Sequence, residues 1–498
     1  MILDIERKPA ELTCSYFNKE GIVEYVRIKV PMDEFFNWVS CPDNDNDKDS
    51  DWKTWDEKPV KKQRVKDATK LSKYRCEELI YNYVSADAEC PLREFNLPKK
   101  YFIDIEVEVI DGFPDPDTAQ NKVTAISIAG ADSKTVLVLG LKELSEKECQ
   151  NINDNINSHF SKFNEKWDFQ YRQCPSEYDM LRDFFEKILP NKPCISGWNF
   201  FGYDWKYLLN RAARLNSDLP PKSKILVEKC SPSGMLISKR NVGNAHPGTG
   251  IPQHKLIVDY MEIYNKWDRI IKVRENSKLD YVAKMATGLE KIKYPGSFTD
   301  LYEKDFPKFV FYNAVDSILV HYIDIRLNTL IAFLKLGHVA GIEAKKAFSP
   351  IWIMEAMMNR KFLDRKQVFV SLNGEEEEQK AFEGAYVKEP VKGFHNWITC
   401  YDFASLYPNT MMQFNISPET FVGNNIEPKP GEIKVGEHTN EHGQITWRVF
   451  NNENDSIMRG ILAELYGKRK ETKQKYLSVN KEIDVLSKYI SKERLEKV

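Results

Sequence analysis

The sequence predicts a multidomain α/β protein, and three observations carry that prediction. Its 498 residues suffice for three or four domains at about 100–200 residues each. From Lys100 onward, β-type apolar runs recur at Tyr101 to Ile110, Val123 to Ile128 and Thr135 to Leu141. Helical segments follow them, including Glu177 to Leu189, and the order strand-then-helix marks a mixed α/β domain.

The remaining elements follow in chain order. Residues 1–99 mix strand-like runs such as Val23 to Val30 with an acidic stretch, Asp43 to Asp51, and a basic one, Lys58 to Arg75. The basic stretch reads either as a solvated helix face or as a phosphate-contacting patch. Cys230 to Gly250 is rich in Gly, Pro and Asn, which predicts a hairpin or long loop. Phe306 to Leu334 carries apolar residues at helical spacing. Gly374, followed by Glu375 to Glu378, reads as a linker or turn. Trp397 to Asp402 reads as a strand that runs into a turn and a helix. From Ser456 the tail is dense in Lys and Glu, with a sparse stripe at Ile461, Leu465, Leu477, Ile483, Leu486 and Ile490. That predicts one long exposed helix or a helical hairpin arm.

Composition narrows the class. Apolar residues make up 42% and aromatics 12%, enough for sizeable cores. No run reaches the roughly 18 apolar residues of a membrane helix, so no membrane partner is expected. The nine cysteines form no Cys-x-x-Cys pair, which predicts reduced, buried thiols in a cytosol-like compartment. Net charge is −2. That sum does not exclude nucleic acid, because acids at a metal site cancel basic residues along a strand path.

Three motifs assemble one chemistry. Asp104 and Glu106 are two apart on an expected strand, so both side chains point to one face. Two acids there are costly to bury without a cation. Asp204 sits where a helix begins, a position that also suits a helix cap. Tyr312 and Asp316, four apart on an expected helix, share a face. Four carboxylates suit two hard divalent ions about 4 Å apart, which activate water and stabilise the leaving oxygen of a phosphodiester. The Tyr312 hydroxyl, one turn before Asp316, is placed to orient the attacking water.

The order, spacing and flanks of these motifs resemble the three exonuclease motifs of family B DNA polymerases. The Asp104-Ile105-Glu106 strand, the segment Gly197-Trp198-Asn199-Phe200-Phe201-Gly202-Tyr203-Asp204 and Tyr312-x-x-x-Asp316 each match. The resemblance implies a ribonuclease-H-like fold and 3′→5′ hydrolysis of single-stranded DNA. It implies two Mg2+, replaceable by Mn2+. Asp104, Glu106 and Asp316 would hold one ion, Asp104 would be shared with the second, and Asp204 would act largely through water. The Cys230–Gly250 loop falls where relatives carry a strand-separating hairpin.

A fourth motif belongs to a different reaction. Tyr401-Asp402-Phe403-Ala404-Ser405-Leu406-Tyr407-Pro408 reads as a strand end and a turn into a helix, with Pro408 in its first turn. Backbone N–H groups at Phe403, Ser405 and Leu406 could cradle a triphosphate. The run matches motif A of family B polymerases. There Asp402 would bind both polymerase metals, the Phe403 carbonyl would join one, and Tyr407 would exclude a 2′-hydroxyl from the incoming dNTP. The flanks resemble polymerases of T-even-type bacteriophages. Phe382-Glu-Gly-Ala-Tyr-Val-Lys-Glu-Pro390 looks like the segment joining exonuclease to palm. Lys468-Arg469-Lys-Glu-Thr-Lys473 looks like the start of the fingers, with Arg469 and Lys473 on one helix face to grip the triphosphate. Asp115-Pro116 fits the same branch.

The resemblance divides the chain into an N-terminal domain (1–99), an exonuclease domain (100–328) and a helical segment returning to the N-terminal domain (329–375). The first half of a palm (376–455) and the first helix of the fingers (456–498) complete it. No run reads Lys-x-x-x-Asn-Ser-x-Tyr-Gly or Tyr-x-Asp-Thr-Asp, so the second palm aspartate is missing. The expected protein is thus the N-terminal part of a phage replicative polymerase, working in the cytoplasm of an infected bacterium. It would act on single-stranded and primer–template DNA. Template-directed synthesis would need a second polypeptide carrying the remaining palm, fingers and thumb, and other phage replication proteins would be partners. The rivals are a stand-alone exonuclease with a vestigial palm and a non-cleaving, nucleic-acid-binding regulatory module. In the phage family the N-terminal region is associated with binding the polymerase's own messenger RNA, and the basic Lys58 to Arg75 run would suit that role.

Overall fold

The computed structural model describes residues 1–110, 112–238, 250–267, 276–294, 296–370, 388–439 and 445–487. Gly374 to Glu378, Phe382 to Val387, Ile490 and the middle of the Cys230–Gly250 loop lie outside them. The described residues form two compact units.

The first unit comprises residues 1–32, 67–69 and 80–356 and is built on a six-stranded mixed sheet. Its spatial order is Asp168–Gln173, Thr135–Gly140, Val123–Gly130, Lys100–Val107, Cys194–Gly197 and Leu256–Asp259. The Val123–Gly130 strand is antiparallel to both neighbours, and the other pairings are parallel. All eight of its residues are buried, because helices cover both sheet faces. This is the mixed sheet expected of a ribonuclease-H-like domain. The strand Lys100–Val107 lies inside the sheet and divides its side chains between two cores. Ile103, Ile105 and Val107 enter one, and Phe102 enters the other. Alternation then sends Asp104 and Glu106 to the Phe102 face.

That face is covered by the 22-residue helix Phe306–Leu327. Every residue from Asn313 to Asp324 is buried, as a helix apolar on nearly all sides requires. Several polar groups along it bond to neighbouring elements. The Ser127 hydroxyl donates to the Asn313 carbonyl at 2.9 Å, His321 Nε2 meets Lys134 Nζ at 2.8 Å, and Asp324 is bound by Lys100 and by the Tyr260 hydroxyl. The predicted helix from Phe306 to Leu334 is two helices, broken at Asn328, which adopts a φ of 52° and starts Thr329–Ala340. No single described helix is long and apolar enough to span a membrane, and this bent pair passes that test only together.

The helix Asp204–Asn216 packs on the opposite face. Its Arg211 makes a bidentate pair with Glu177, 2.8 Å for each bond, and both side chains are buried. Glu177 also accepts from the Val123 N–H at 2.7 Å, and Arg211 donates to the carbonyls of Ala119 and Gln120. The Cys230–Gly250 prediction is met at its edges, where Leu236–Ser238 pairs antiparallel with Gly250–Pro252.

The second unit comprises residues 33–66, 70–79 and 357–498. Phe36–Ser40 pairs with Val60–Arg64, and Lys53–Thr54 pairs with Gln367–Val368. A three-stranded sheet (Phe421–Asn424, Ile445–Asn451, Glu432–Thr439) adjoins the helices Leu406–Gln413 and Ile457–Leu486. Three expectations are corrected in this unit. The basic Lys58 to Arg75 run is not a helix face: its core is the strand Val60–Arg64, a 3-10 turn follows at Ala68–Lys70, and α-helix begins only at Lys73. Arg75 is buried between Glu34 and Glu78, so it leaves the basic surface. Trp397 to Asp402 forms no strand, because a strand needs a ladder partner and none of the described strands pairs with it. The cysteines are free, as expected, but Cys400 is exposed.

The Glu177–Arg211 pair anchors the helix that begins at Asp204. Removing one partner strands a buried charge, so Glu177→Ala is expected to destabilise the fold by about 3–5 kcal/mol. Urea unfolding of the two proteins measures it.

Candidate metal centre

The three nuclease motifs converge in the first unit. Ligand oxygens of Asp104, Glu106 and Asp316 lie within 4.8 Å of one another. Strand alternation supplies the first two, and Asp316 comes from the buried stretch of the covering helix. Asp204 arrives from the turn that follows the interior strand Cys194–Gly197. The Cys194–Gly197 strand leaves the ladder after Ser196, opposite Phe102. Gly197 then passes so close to Ile103 that an added Cβ would sit 2.6 Å from its carbonyl. The chain turns at Asn199, with a φ of 59°, and the helix begins at Asp204. The Asp204 carboxylate accepts from the Ile105 N–H at 3.1 Å, between Asp104 and Glu106 in the strand. Asp204 is not part of the 4.8 Å cluster. Asp259 steadies the turn by accepting from the Phe201 N–H at 2.9 Å.

Two side chains that the sequence did not single out complete the surroundings. Lys291 Nζ lies 2.5 Å from Asp316 Oδ2 and 3.4 Å from the Tyr312 hydroxyl. Asn313, next to Tyr312, donates from Nδ2 to Asp104 Oδ2 at 2.8 Å. No spacing rule marks either: Lys291 is one of 72 basic residues, and Asn313 resembles any polar helix residue until the helix is docked.

The electrostatics describe a centre short of positive charge. Burial first, and then the Asp316 charge, push Asp104 up to about 8, against Lys291 and the Asn313 hydrogen bond. Burial and the charges of Asp104 and Asp316 raise Glu106 well above the carboxylate range. Burial and Asp104 do the same to Asp204, and burial raises Asp316 despite Lys291. Burial works against the Lys291 ammonium, but Asp316, Tyr312 and Asp104 outweigh it and raise its pKa. Burial and Asp316 also hold Tyr312 as a neutral phenol. One ammonium cannot balance four acids, and Asp316 Oδ1 is buried with no partner among the described residues. An all-oxygen, electron-rich donor set with an orphaned carboxylate oxygen fits divalent cations.

The fourth motif lies in the second unit and is built differently. Asp402 and Phe403 are exposed in coil, and Asp402 belongs to no cluster of three or more ligating side chains among the described residues. Ser405 enters the helix Leu406–Gln413 with a φ of 52°. Arg469 of the helix Ile457–Leu486 donates to the Ser405 hydroxyl at 3.0 Å. Arg459 of the same helix donates to the Met412 carbonyl at 2.7 Å. The structure therefore brings Arg469 to the motif A turn, with Lys473 one turn further along. Leu406 and Tyr407 are exposed.

Comparison with known proteins finds one family along most of the chain. The family model described as DNA polymerase family B, exonuclease domain, matches residues 39–266, and that of DNA polymerase family B matches residues 351–490. The DNA-directed DNA polymerase of Escherichia phage RB69 is 23% identical over 416 residues, covering 77% of this chain and 43% of the relative. That of Enterobacteria phage T4 is 25% identical over 425 residues, covering 78% and 44%. The DNA polymerase catalytic subunit of Alcelaphine herpesvirus 1 is 24% identical, covering 80% and 38%. The chain spans under half the length of these relatives.

Raised carboxylate pKa values have a stability consequence. These acids lie near 4 when unfolded, so folding takes up protons, and the metal-free protein loses stability as pH rises from about 4 through 8. A divalent ion needs the ionised acids and reverses that loss. Mn2+ at about 100 times its Kd contributes about 2.7 kcal/mol. Melting in EDTA and in Mn2+ should therefore show a larger metal-dependent gain in Tm at pH 8 than at pH 5.5.

Proposed function

Since this chain belongs to DNA polymerase family B, carrying its exonuclease domain and part of its polymerase domain, we propose that it is the proofreading part of a phage replicative polymerase. It removes nucleotides from the 3′ end of single-stranded DNA and acts in the cytoplasm of an infected bacterium. The convergence of Asp104, Glu106 and Asp316 with Asp204 beside them is the observation that carries this reading.

Asp104, Glu106 and Asp316 would hold one Mg2+, with Asp104 shared to a second and Asp204 acting through water. Bound there, the ions supply Lewis acidity to the scissile phosphate and lower the pKa of the attacking water. The neutral Tyr312 hydroxyl, one turn from Asp316, orients that water. Lys291 steadies Asp316 and offers an ammonium to the phosphate's charge. Phe113, 82% exposed, packs at 5.1 Å against Tyr203, the residue before Asp204. This pair supports a platform on which a terminal base stacks.

The polymerase side is half a site. Asp402 and the Phe403 carbonyl would take the polymerase Mg2+. The N–H groups near Ser405 and Leu406, with Arg469 and Lys473, would hold the dNTP triphosphate, and Tyr407 would lie under its sugar. A single aspartate cannot hold two ions against water, so synthesis would require a second palm carboxylate together with the remaining fingers and thumb. The exposed Phe394, Trp397, Tyr401 and Phe403 on a segment that lacks a strand partner support that reading: they form an apolar edge for a completed palm sheet.

Incubation with end-labelled single-stranded DNA and Mg2+ should shorten the DNA from its 3′ end. Asp104→Ala should lower the rate by at least about a hundredfold, since changes outside the ligand shell alone cost 10–100-fold. Equal rates would overturn the assignment. Phe113→Ala should weaken single-stranded DNA binding by about 1–3 kcal/mol, read as a raised KM. These 498 residues alone should not extend a primer, and extension by them alone would overturn the half-site reading.

A further inference from the structure

We propose that Asn313 is a positioning residue of the metal centre, fixing the Asp104 carboxylate so that it binds a divalent ion tightly. The inference rests on the reading of the Asp104 cluster as a metal site. Asn313 is fully buried and comes from the same helix as Tyr312 and Asp316. Its Nδ2 donates to Asp104 Oδ2 at 2.8 Å and lies 3.4 Å from the Asp104 carbonyl. A cation needs Asp104 ionised, and an ionised carboxylate only accepts hydrogen bonds, so in that state the amide turns its NH2 group to Asp104. That bond holds one oxygen and sets the carboxylate plane, leaving the other oxygen for a cation.

The support behind Asn313 is as specific. Ser127 stands opposite Asp104 in the sheet ladder. Its hydroxyl donates to the Asn313 carbonyl at 2.9 Å and lies 3.4 Å from the Asp104 carbonyl. Strand, neighbouring strand and helix are thus joined around one carboxylate, and Asn313 is where the helix meets it.

Packing does not account for the amide. Asn313 Oδ1 is buried with no partner among the described residues, and an unpaired buried oxygen is destabilising. An aliphatic side chain of the same branched shape would fill the space without that oxygen. What only the amide provides is the hydrogen bond to Asp104. Partners that orient a metal ligand typically change metal affinity 10–100-fold when removed.

Asn313→Leu separates the two roles, because it keeps the shape, removes the donor and removes the orphaned oxygen. Mn2+ titration of the full chain without DNA, read by electron paramagnetic resonance of the free ion, gives the affinity, and thermal melting in EDTA gives the stability. The expected result is Mn2+ binding weakened about tenfold or more with Tm unchanged or raised. A merely structural role would lower Tm and leave Mn2+ affinity alone. Should the leucine variant not fold, Asn313→Ala gives the same readout. Wild-type protein that binds Mn2+, with binding lost in Asp104→Ala and retained within about twofold in the Asn313 variant, would overturn this inference alone. Wild-type protein that binds no Mn2+ would overturn it together with the metal reading.

Discussion

Burial of four neighbouring carboxylates, sharpened by repulsion among them, is the constraint on which the first unit turns. Like charges in a poorly solvated site disfavour their own ionisation. The fold must therefore either keep them protonated or supply positive charge. Lys291 supplies part of it, at Asp316. Its single charge leaves Asp104, Glu106 and Asp204 raised. Such a site is strained as a protein interior and well suited as a cation receptor. The same shortage of charge that weakens the metal-free fold suits the cluster to a divalent cation.

Holding the acids in place against that repulsion requires rigid elements. The helix Phe306–Leu327 is pinned along its buried length. Ser127 holds it at Asn313, Lys134 at His321, and Lys100 and Tyr260 at Asp324. The helix that starts at Asp204 is anchored from the other face through Arg211 and Glu177. Asp204 itself is tied to the strand between Asp104 and Glu106 by the Ile105 N–H. Side chains that touch no reacting atom thus determine how closely the acids approach one another.

What could be read in the sequence divides along the range of the interactions involved. Asp104 with Glu106, and Tyr312 with Asp316, were legible because strand and helix periodicity are local properties. Lys291 and Asn313 were not, since each acquires its role only through a residue distant in sequence: Lys291 is 25 positions from Asp316, and Asn313 is 209 from Asp104. The strand expected at Trp397 to Asp402 failed for the related reason that strands exist by pairing, and composition alone supplies no partner. The Lys58 to Arg75 run misled in the opposite sense. Its lysines suggested an exposed helix face, whereas antiparallel pairing with Phe36–Ser40 makes part of it a strand, and two glutamates bury Arg75.

The two acid sites therefore differ in kind. The nuclease acids meet from elements of one unit, and each is held by a backbone or side-chain partner, or by the rigid strand that carries it. Asp402 stands exposed on unpaired chain, yet its turn is already organised, with Ser405 in a left-handed conformation and Arg469 bound to it. That turn is organised by one helix and one arginine donor. A two-ion palm site needs a second carboxylate and a sheet edge, which are non-local. Enclosure therefore sets the chemistry of the first cluster, whereas among the described residues Asp402 keeps the solvation of an exposed carboxylate.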